Sequence, residues 1–412
     1  MASNELNRQP QPKKNNWFVS FWRKPNIQTG FRNFISGFIC IAIGYFIALI
    51  LLLCIDAKNA GKGIIQLITA GWGYGYTLDA STQQLVFGRI SEDNLPRIIY
   101  LMTPMMLTGL TIAFPFQLGL FNIGNTSQIT IGAFVGLCLG IVGLPWWACL
   151  IFAGLAGAAV GFIPGLLKAK LNVNEVLSGI MLNWIIYYLI DIIGRLGLPR
   201  SFKDRTQIDN LIFMPNNARM PAIGTKGISW GLIIAIIIIV LFQVMLHHTR
   251  WGKELKLSGS NKFCAQYAGI SQDKNIILTL TLAGLIGGIA GYMIYANPIS
   301  PQAFRWSSSA NSTISDGFTG ISVSLIAQNS AIGCILSAFL LNMISSAQPY
   351  MKVVSSSYNS YITELLSAII IYIASFASFF RYLIIRYQGK KIEQRNQLNL
   401  TRAKPDETTK EA

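Results

Sequence analysis

The chain has 412 residues, 52% of them hydrophobic and 12% charged, with a mean hydropathy of +0.46; an ordinary soluble domain is about 25% charged. This is a membrane protein's composition, and it excludes a disordered chain, a collagen-like fibre and a secreted disulfide scaffold. The formal charge of +16, from 33 Lys and Arg against 17 Asp and Glu, clusters between apolar runs and forms no basic stripe interleaved with aromatics, which indicates a lipid bilayer surface and no nucleic acid.

Residues 1–33 are polar and basic, with Lys13, Lys14, Arg23, Lys24 and Arg32, and read as a cytoplasmic lead-in whose stretch from Trp17 to Trp22 rests at the lipid interface. Apolar runs follow at 34–54, 98–116, 129–143, 146–167, 175–194, 231–248, 275–296, 317–329, 331–348 and 362–384. The first run has no small-residue cleavage pattern at its end and is a retained anchor. Runs such as Gly231 to Leu246 are continuously apolar, unlike the alternating segments of about 10 residues in a β-barrel. The spacing therefore predicts an all-α polytopic protein of the cell membrane with about ten transmembrane helices over 34–384 and a polar cytoplasmic tail over 385–412.

Charge tests the count. With the N-terminus cytoplasmic and all runs crossing, the inner segments, together with Arg381, hold 21 of the 33 Lys and Arg. That bias puts both termini on the cytoplasmic side. Ten crossings divide into two five-helix halves, and because five is odd the second half enters inverted. Runs 129–143 and 317–329 each stand third in their half, are short, and follow a polar break containing glycine: 117–128 with Gly119 and Gly124, and 315–320 with Gly317 and Gly320. Breaks at corresponding positions point to a translocation path, because irregular backbone at membrane depth is tolerated only beside protein or a watery cavity. These four glycines are the candidate hinges; the plainer alternative is a pair of connecting loops.

No enzyme constellation is present. The two histidines, His247 and His248, lie at the end of a run, and Gly61-Lys62-Gly63 lacks the spacing and hydroxyl of a P-loop. Cys40, Cys54, Cys138, Cys149, Cys264 and Cys334 stand singly, which argues against a metal site. Glu175, Asp191, Asp316 and Glu364 sit near run ends, whereas an ion-coupled transporter usually places carboxylates near the midplane. Uncharged polar residues lie deeper, and Asn122, Gln128, Asn183 and Gln328 are the candidates for a path that carries a neutral polar solute. Interhelical hydrogen bonding is the alternative role for each.

The segment from Arg250 to Ile270 is the most informative. Asn261 is placed to cap a short helix that Gly269 ends, with Cys264, Ala265 and Ala268 as a small face suited to a groove on another protein. The pattern G-x-E-L-x-x-x-G-x-N-x-x-x-A-x-x-x-G-I over Gly252 to Ile270 resembles the cytoplasmic coupling segment of permease subunits in ABC importers for nucleosides and simple sugars. G-L-F-N-I-G-x-x-x-Q at Gly119 to Gln128, N-V-N-E-V-L-S-G-I-M-L-N at Asn172 to Asn183 and G-F-T-G-I-S-V-S-L-I-A at Gly317 to Ala327 look like the same family's other signatures, in the same order.

The resemblance implies a type II importer fold, a second permease chain (identical or related), an ABC ATPase subunit that holds ATP and Mg, and an extracytoplasmic substrate-binding lipoprotein. It implies no cofactor and no catalysis in this chain. It makes Gly252, Glu254, Gly259, Asn261, Ala265 and Gly269 the candidates for ATPase coupling. Two departures stand out: Asn125-Thr126-Ser127 where the family usually reads Ala-Glu-Gly, and Lys256 where Arg is common. The run from Asn172 to Val176 is nearer the nucleoside type than the ribose type, so the expected cargo is a nucleoside. A ribose- or galactose-type sugar is the alternative, and an ion-coupled transporter or channel is the rival from another class.

Overall fold

The computed structural model describes residues 25–78, 84–91, 94–196, 211–223, 228–298, 302–305, 310–376, 379–380, 382–383 and 386. Most of the predicted lead-in and nearly all of the predicted tail lie outside the described residues, as does the side chain of Asp316.

The helices are α1 (Pro25–Ile55), α2 (Ala60–Thr69), α3 (Asn94–Phe116), α4 (Asn125–Val142), α5 (Trp146–Leu171), α6 (Glu175–Leu196), α7 (Trp230–His248), α8 (Arg250–Ser260), α9 (Lys262–Tyr267), α10 (Gln272–Tyr295), α11 (Ala310–Ile326), α12 (Ala331–Ser345), α13 (Gln348–Val354) and α14 (Ser360–Ser375). Each predicted apolar run falls on one or more of them. Among the described residues, seven stretches are long and apolar enough to cross a bilayer: α3, α4, α5, α6, α7, α10 and the stretch Ala331–Val354. Ile39–Ile55, Gly317–Ile326 and Tyr361–Ala374 are shorter apolar helices. α1 starts at Pro25, ahead of the predicted run, with a proline at the position where its missing N–H costs nothing.

Three antiparallel ribbons escape a reading based on apolar runs. β1 (Tyr74–Leu78) pairs with β2 (Leu85–Arg89), β3 (Leu211–Phe213) with β6 (Ala303–Arg305), and β4 (Ala222–Ile223) with β5 (Ile228–Ser229). β3–β6 ties two loops distant in sequence and seats Phe304 against Phe134 and Tyr295.

α10 is the centre of the bundle and packs on α3, α4 and α5, while α11 and α12 pack on α3. In a bilayer the lipid is as apolar as leucine, so helices associate through close van der Waals contact, which small residues allow. Gly157 and Gly161 on α5 meet Gly284 and Gly288 on α10, and Gly132 on α4 meets Gly288 from the other side. A Cβ on Gly157 would lie 2.7 Å from the Gly288 Cα, so the backbones touch. Beside this core, α1, α2, α13 and α14 form a second cluster around Leu52, Met351 and Tyr358. Asp56 pins it: Asn59 Nδ2 donates to its carboxylate at 2.9 Å and Ser355 Oγ at 2.7 Å, which holds that carboxyl below its ordinary range. α7 is apolar all round and leaves Ile237 and Leu241 exposed, as a lipid-facing helix does.

Candidate functional site: a broken helix against a two-helix elbow

α3 ends at Phe116, and the chain then turns back into the bundle. Asn122 Nδ2 donates to the Thr111 carbonyl at 3.2 Å, and Thr111 lies five residues before the helix end, about 7.5 Å along the axis. α4 therefore begins more than one turn inside the end of its neighbour. Gly119, at φ +76, makes the reversal, and Gly124 packs against Gly179 of α6, where a Cβ would sit 2.7 Å from the Gly124 nitrogen.

A helix that begins inside protein must find acceptors for its first N–H groups. Gly124, at the N-cap position, has no side chain to offer, and Asn183 of α6 supplies the acceptor: Ser127 N donates to Asn183 Oδ1 at 2.9 Å, while Asn183 Nδ2 donates to the Ile123 carbonyl at 3.1 Å. Asn122 and Gln128 exchange both amide hydrogen bonds, at 3.0 and 3.2 Å. The Thr111 hydroxyl lies 2.6 Å from the Thr108 carbonyl and 2.7 Å from Asn125 Oδ1, and Asn125 Nδ2 donates to the Gly317 carbonyl of α11 at 3.3 Å. Three of the four predicted path residues, Asn122, Gln128 and Asn183, thus converge on one network, with Asn122 and Gln128 fully buried. The departure Asn125-Thr126-Ser127 lies at its centre: Asn125 and Thr126 meet Gly317, and Ser127 meets Asn183. Gly320 packs on the backbone of Thr108, and α11 is helical from Ala310 to Ile326, so the expected break at 315–320 does not form: Gly317 and Gly320 are close-contact positions within a helix.

Asn183→Leu keeps the branched shape but leaves a part-buried N–H and a part-buried carbonyl unmet. It is expected to lower stability by about 2 kcal/mol or more, read as the unfolding midpoint in detergent. An unchanged midpoint would refute the cap.

Gln328 lies elsewhere. It forms, with Asn329, the turn between α11 and α12, both residues at positive φ (51° and 57°). That turn meets the end of α3, where Gln117 Nε2 donates to the Asn329 carbonyl at 3.0 Å.

A small cleft of about 80 Å³, open on one side, adjoins the network. Tyr100, Pro104, Met105 and Thr108 of α3, Thr319 of α11, Asn342 of α12, Ile294 and Gln302 line it, with no charged side chain among these described residues. Asn342 Nδ2 donates to the Ala338 carbonyl at 2.8 Å, and the Tyr100 hydroxyl to the Ile294 carbonyl at 3.2 Å. Sequence reasoning chose none of these lining residues as a path candidate, although Thr319 falls in the 315–320 stretch and Thr108 and Asn342 carry the signal it used elsewhere, an uncharged polar group deep in an apolar run.

The elbow of α8 and α9 sits against α7 and the break. Thr249 caps α8 by accepting from Gly252 N at 3.1 Å, and Asn261 caps α9 by accepting from Phe263 N and Cys264 N at 3.0 and 3.1 Å. Gly269 follows α9 at φ +75. Gly252 packs on the Leu246 backbone and Gly259 on Gln117 and Leu118. The Trp251 indole donates to Asn275 Oδ1 of α10 at 2.9 Å. Glu254 is half-buried, and desolvation draws the Lys256 ammonium below its ordinary pKa. Of the expected small face, Cys264 and Ala268 are exposed but Ala265 is buried, because the six-residue helix turns that side inward. The large exposed groups are Phe263 and Tyr267, one turn apart, at 73% and 94% exposure.

Span-length helices seamed by glycine, one helix broken inside the bundle and a basic elbow beneath it define a multi-pass membrane permease. Residues 94–375 match the family of branched-chain amino acid transport system permease components, and the chain belongs to it. A guanosine ABC transporter permease protein of Bacillus subtilis is 29% identical over 79% of this chain and 93% of its own length. A nucleoside ABC transporter permease protein of Lactococcus lactis is 30% identical over 63% of this chain and 74% of its own. A glucose ABC transporter permease protein of Haloferax volcanii is 27% identical over 74% and 82%. No solved structure matches the chain. The chain is a permease subunit of an ABC importer and is not itself a catalyst.

Proposed function

We propose that this subunit carries a nucleoside inward by alternating access, driven by ATP and Mg on a partner ATPase that docks on the α8–α9 elbow. Its ten apolar helices cross the cell membrane as two inverted halves with both termini cytoplasmic, a second permease chain completes the path, and an extracytoplasmic lipoprotein delivers the solute. The observation that carries the reading is the elbow: a doubly capped, glycine-seated platform that contacts the one helix broken inside the bundle. Exposed aromatics on such a platform suit the core of an interface, where they anchor more binding energy than small residues. The cleft supports a neutral cargo, since amide, hydroxyl and aromatic groups recognise base edges and ribose without a buried charge. A sugar is the second reading, favoured by the glucose permease among the relatives.

Purification of the intact assembly from native membranes tests this, followed by uptake of tritiated guanosine and glucose into vesicles. An ATPase is expected to co-purify, and guanosine to outcompete glucose. Replacing Phe263 and Tyr267 together with alanine is expected to weaken retention of the ATPase by about 100-fold, two anchors at about 1.4 kcal/mol or more each. A solitary permease, or retention unchanged by the double substitution, overturns the docking assignment; saturable glucose uptake with none of guanosine overturns the cargo.

A further inference from the structure

Between the elbow and the bundle lies a short, stiff chain of contacts. Gly259 has no side chain, and the site of its missing Cβ is 3.0 Å from both the Cα and the carbonyl carbon of Leu118, so α8 bears directly on the backbone of the break. Side chains yield by changing rotamer; backbone against backbone transmits displacement, because close-packed atoms leave no slack. The residue under that contact is Gln117. Its backbone carbonyl faces Gly259, and its amide nitrogen reaches across 212 positions of sequence to the Asn329 carbonyl at 3.0 Å. Asn329 is itself tied to α11: its Oδ1 accepts from Ser324 Oγ at 2.8 Å and its N–H donates to the Ser324 carbonyl at 2.9 Å. α11 in turn carries Gly317 and Gly320, which abut Thr126 and Thr108 beside the polar network.

We propose that Gln117 is the positioning residue that couples the elbow to the α3–α4 break and to the α11–α12 turn at once, holding the two as one moving body. The Gln117 amide makes a side-chain hydrogen bond between these two regions at their common end, so a push on α8 reaches the second half through it. Gln328 and Asn329, both left-handed and neither glycine, hold a costly backbone conformation that local bonds to Leu325 and Ser324 and the Gln117 amide together offset. The inference rests on the docking reading above and adds to it how the elbow's motion reaches the second half.

The test compares Gln117→Leu, which keeps the shape and removes the donor, with Gln117→Lys, which restores a donor of similar reach, in the full complex in membrane vesicles. The probe is tritiated guanosine, with ATP hydrolysis and ATPase retention measured on the same preparations. Gln117→Leu is expected to cut guanosine uptake about tenfold, the worth of a hydrogen bond to a committed partner, while the ATPase stays bound and hydrolysis no longer rises with substrate. Gln117→Lys is expected to recover most of the uptake. Wild-type uptake by Gln117→Leu, or failure of Gln117→Lys to restore it, overturns the proposal. So does loss of the protein from the membrane in both Gln117→Leu and Gln117→Glu, which would assign the bond to folding. Failure of the docking reading looks different, since the wild-type complex would then lack an ATPase.

Discussion

Gly259→Trp is expected to abolish uptake while leaving the permease in the membrane at its normal level. The missing Cβ already sits 3.0 Å from the Leu118 backbone, with no flexible side chain to give way, so an indole lifts the end of α8 off the break. Overpacking of this kind costs about 3 kcal/mol, and charged against the coupled conformation it lowers transport about 100-fold. The bundle itself is spared, because Gly259 is exposed on its outer side and lies beyond the span-length helices. Initial rates of guanosine uptake, normalised to permease in the same vesicles, check this. Uptake within a factor of two of the parent would show that the elbow does not bear on the break.

Gly288→Val acts on the fold instead. Gly288 is where α10 meets α5 and α4 together: a Cβ there would lie 2.9 Å from the Ala153 carbonyl carbon and 3.1 Å from the Gly154 Cα, both backbone. Two more methyl carbons force α5 and α10 apart along the seam, so Gly157, Gly161 and Gly284 lose contact with it. The expected loss exceeds about 3 kcal/mol, seen as absence from the membrane or as a melting temperature in detergent lower by about 5 °C or more. Gly61→Ala is the control: nothing lies within 4 Å of its Cβ position, and its melting temperature is expected to match the parent. Equal melting of Gly288→Val and the parent would refute the seam.

Much of the architecture was legible because a bilayer imposes length and apolarity, which are one-dimensional properties. Every predicted apolar run carries a helix among its described residues, and the local signals at Asn261 and Gly269 resolve as a cap and a left-handed residue, since each acts within a turn of its own position. The short ribbons stayed hidden because segments of two to five residues carry too little periodicity to register. The candidate site was legible by type but not by grouping. A deep amide marks a polar site, yet nothing local separates Gln128, paired with Asn122, from Gln328 in the turn between α11 and α12. Nor does spacing in a six-residue helix reveal that Ala265 faces inward and Phe263 outward.

By itself, then, the sequence determined a polytopic helical permease with a break at Gly119–Gly124, because hydropathy and backbone permissiveness are properties of single segments; that 310–326 runs as one helix through Gly317 and Gly320 was not legible in it. The tertiary structure alone decided that Asn183 caps a helix starting 58 residues earlier, at Asn125, that Asn125 bonds to Gly317, and that Gln117 reaches Asn329. Those pairings follow from which helices the glycine seams bring into contact, and no residue encodes in its own neighbourhood which distant backbone it will touch.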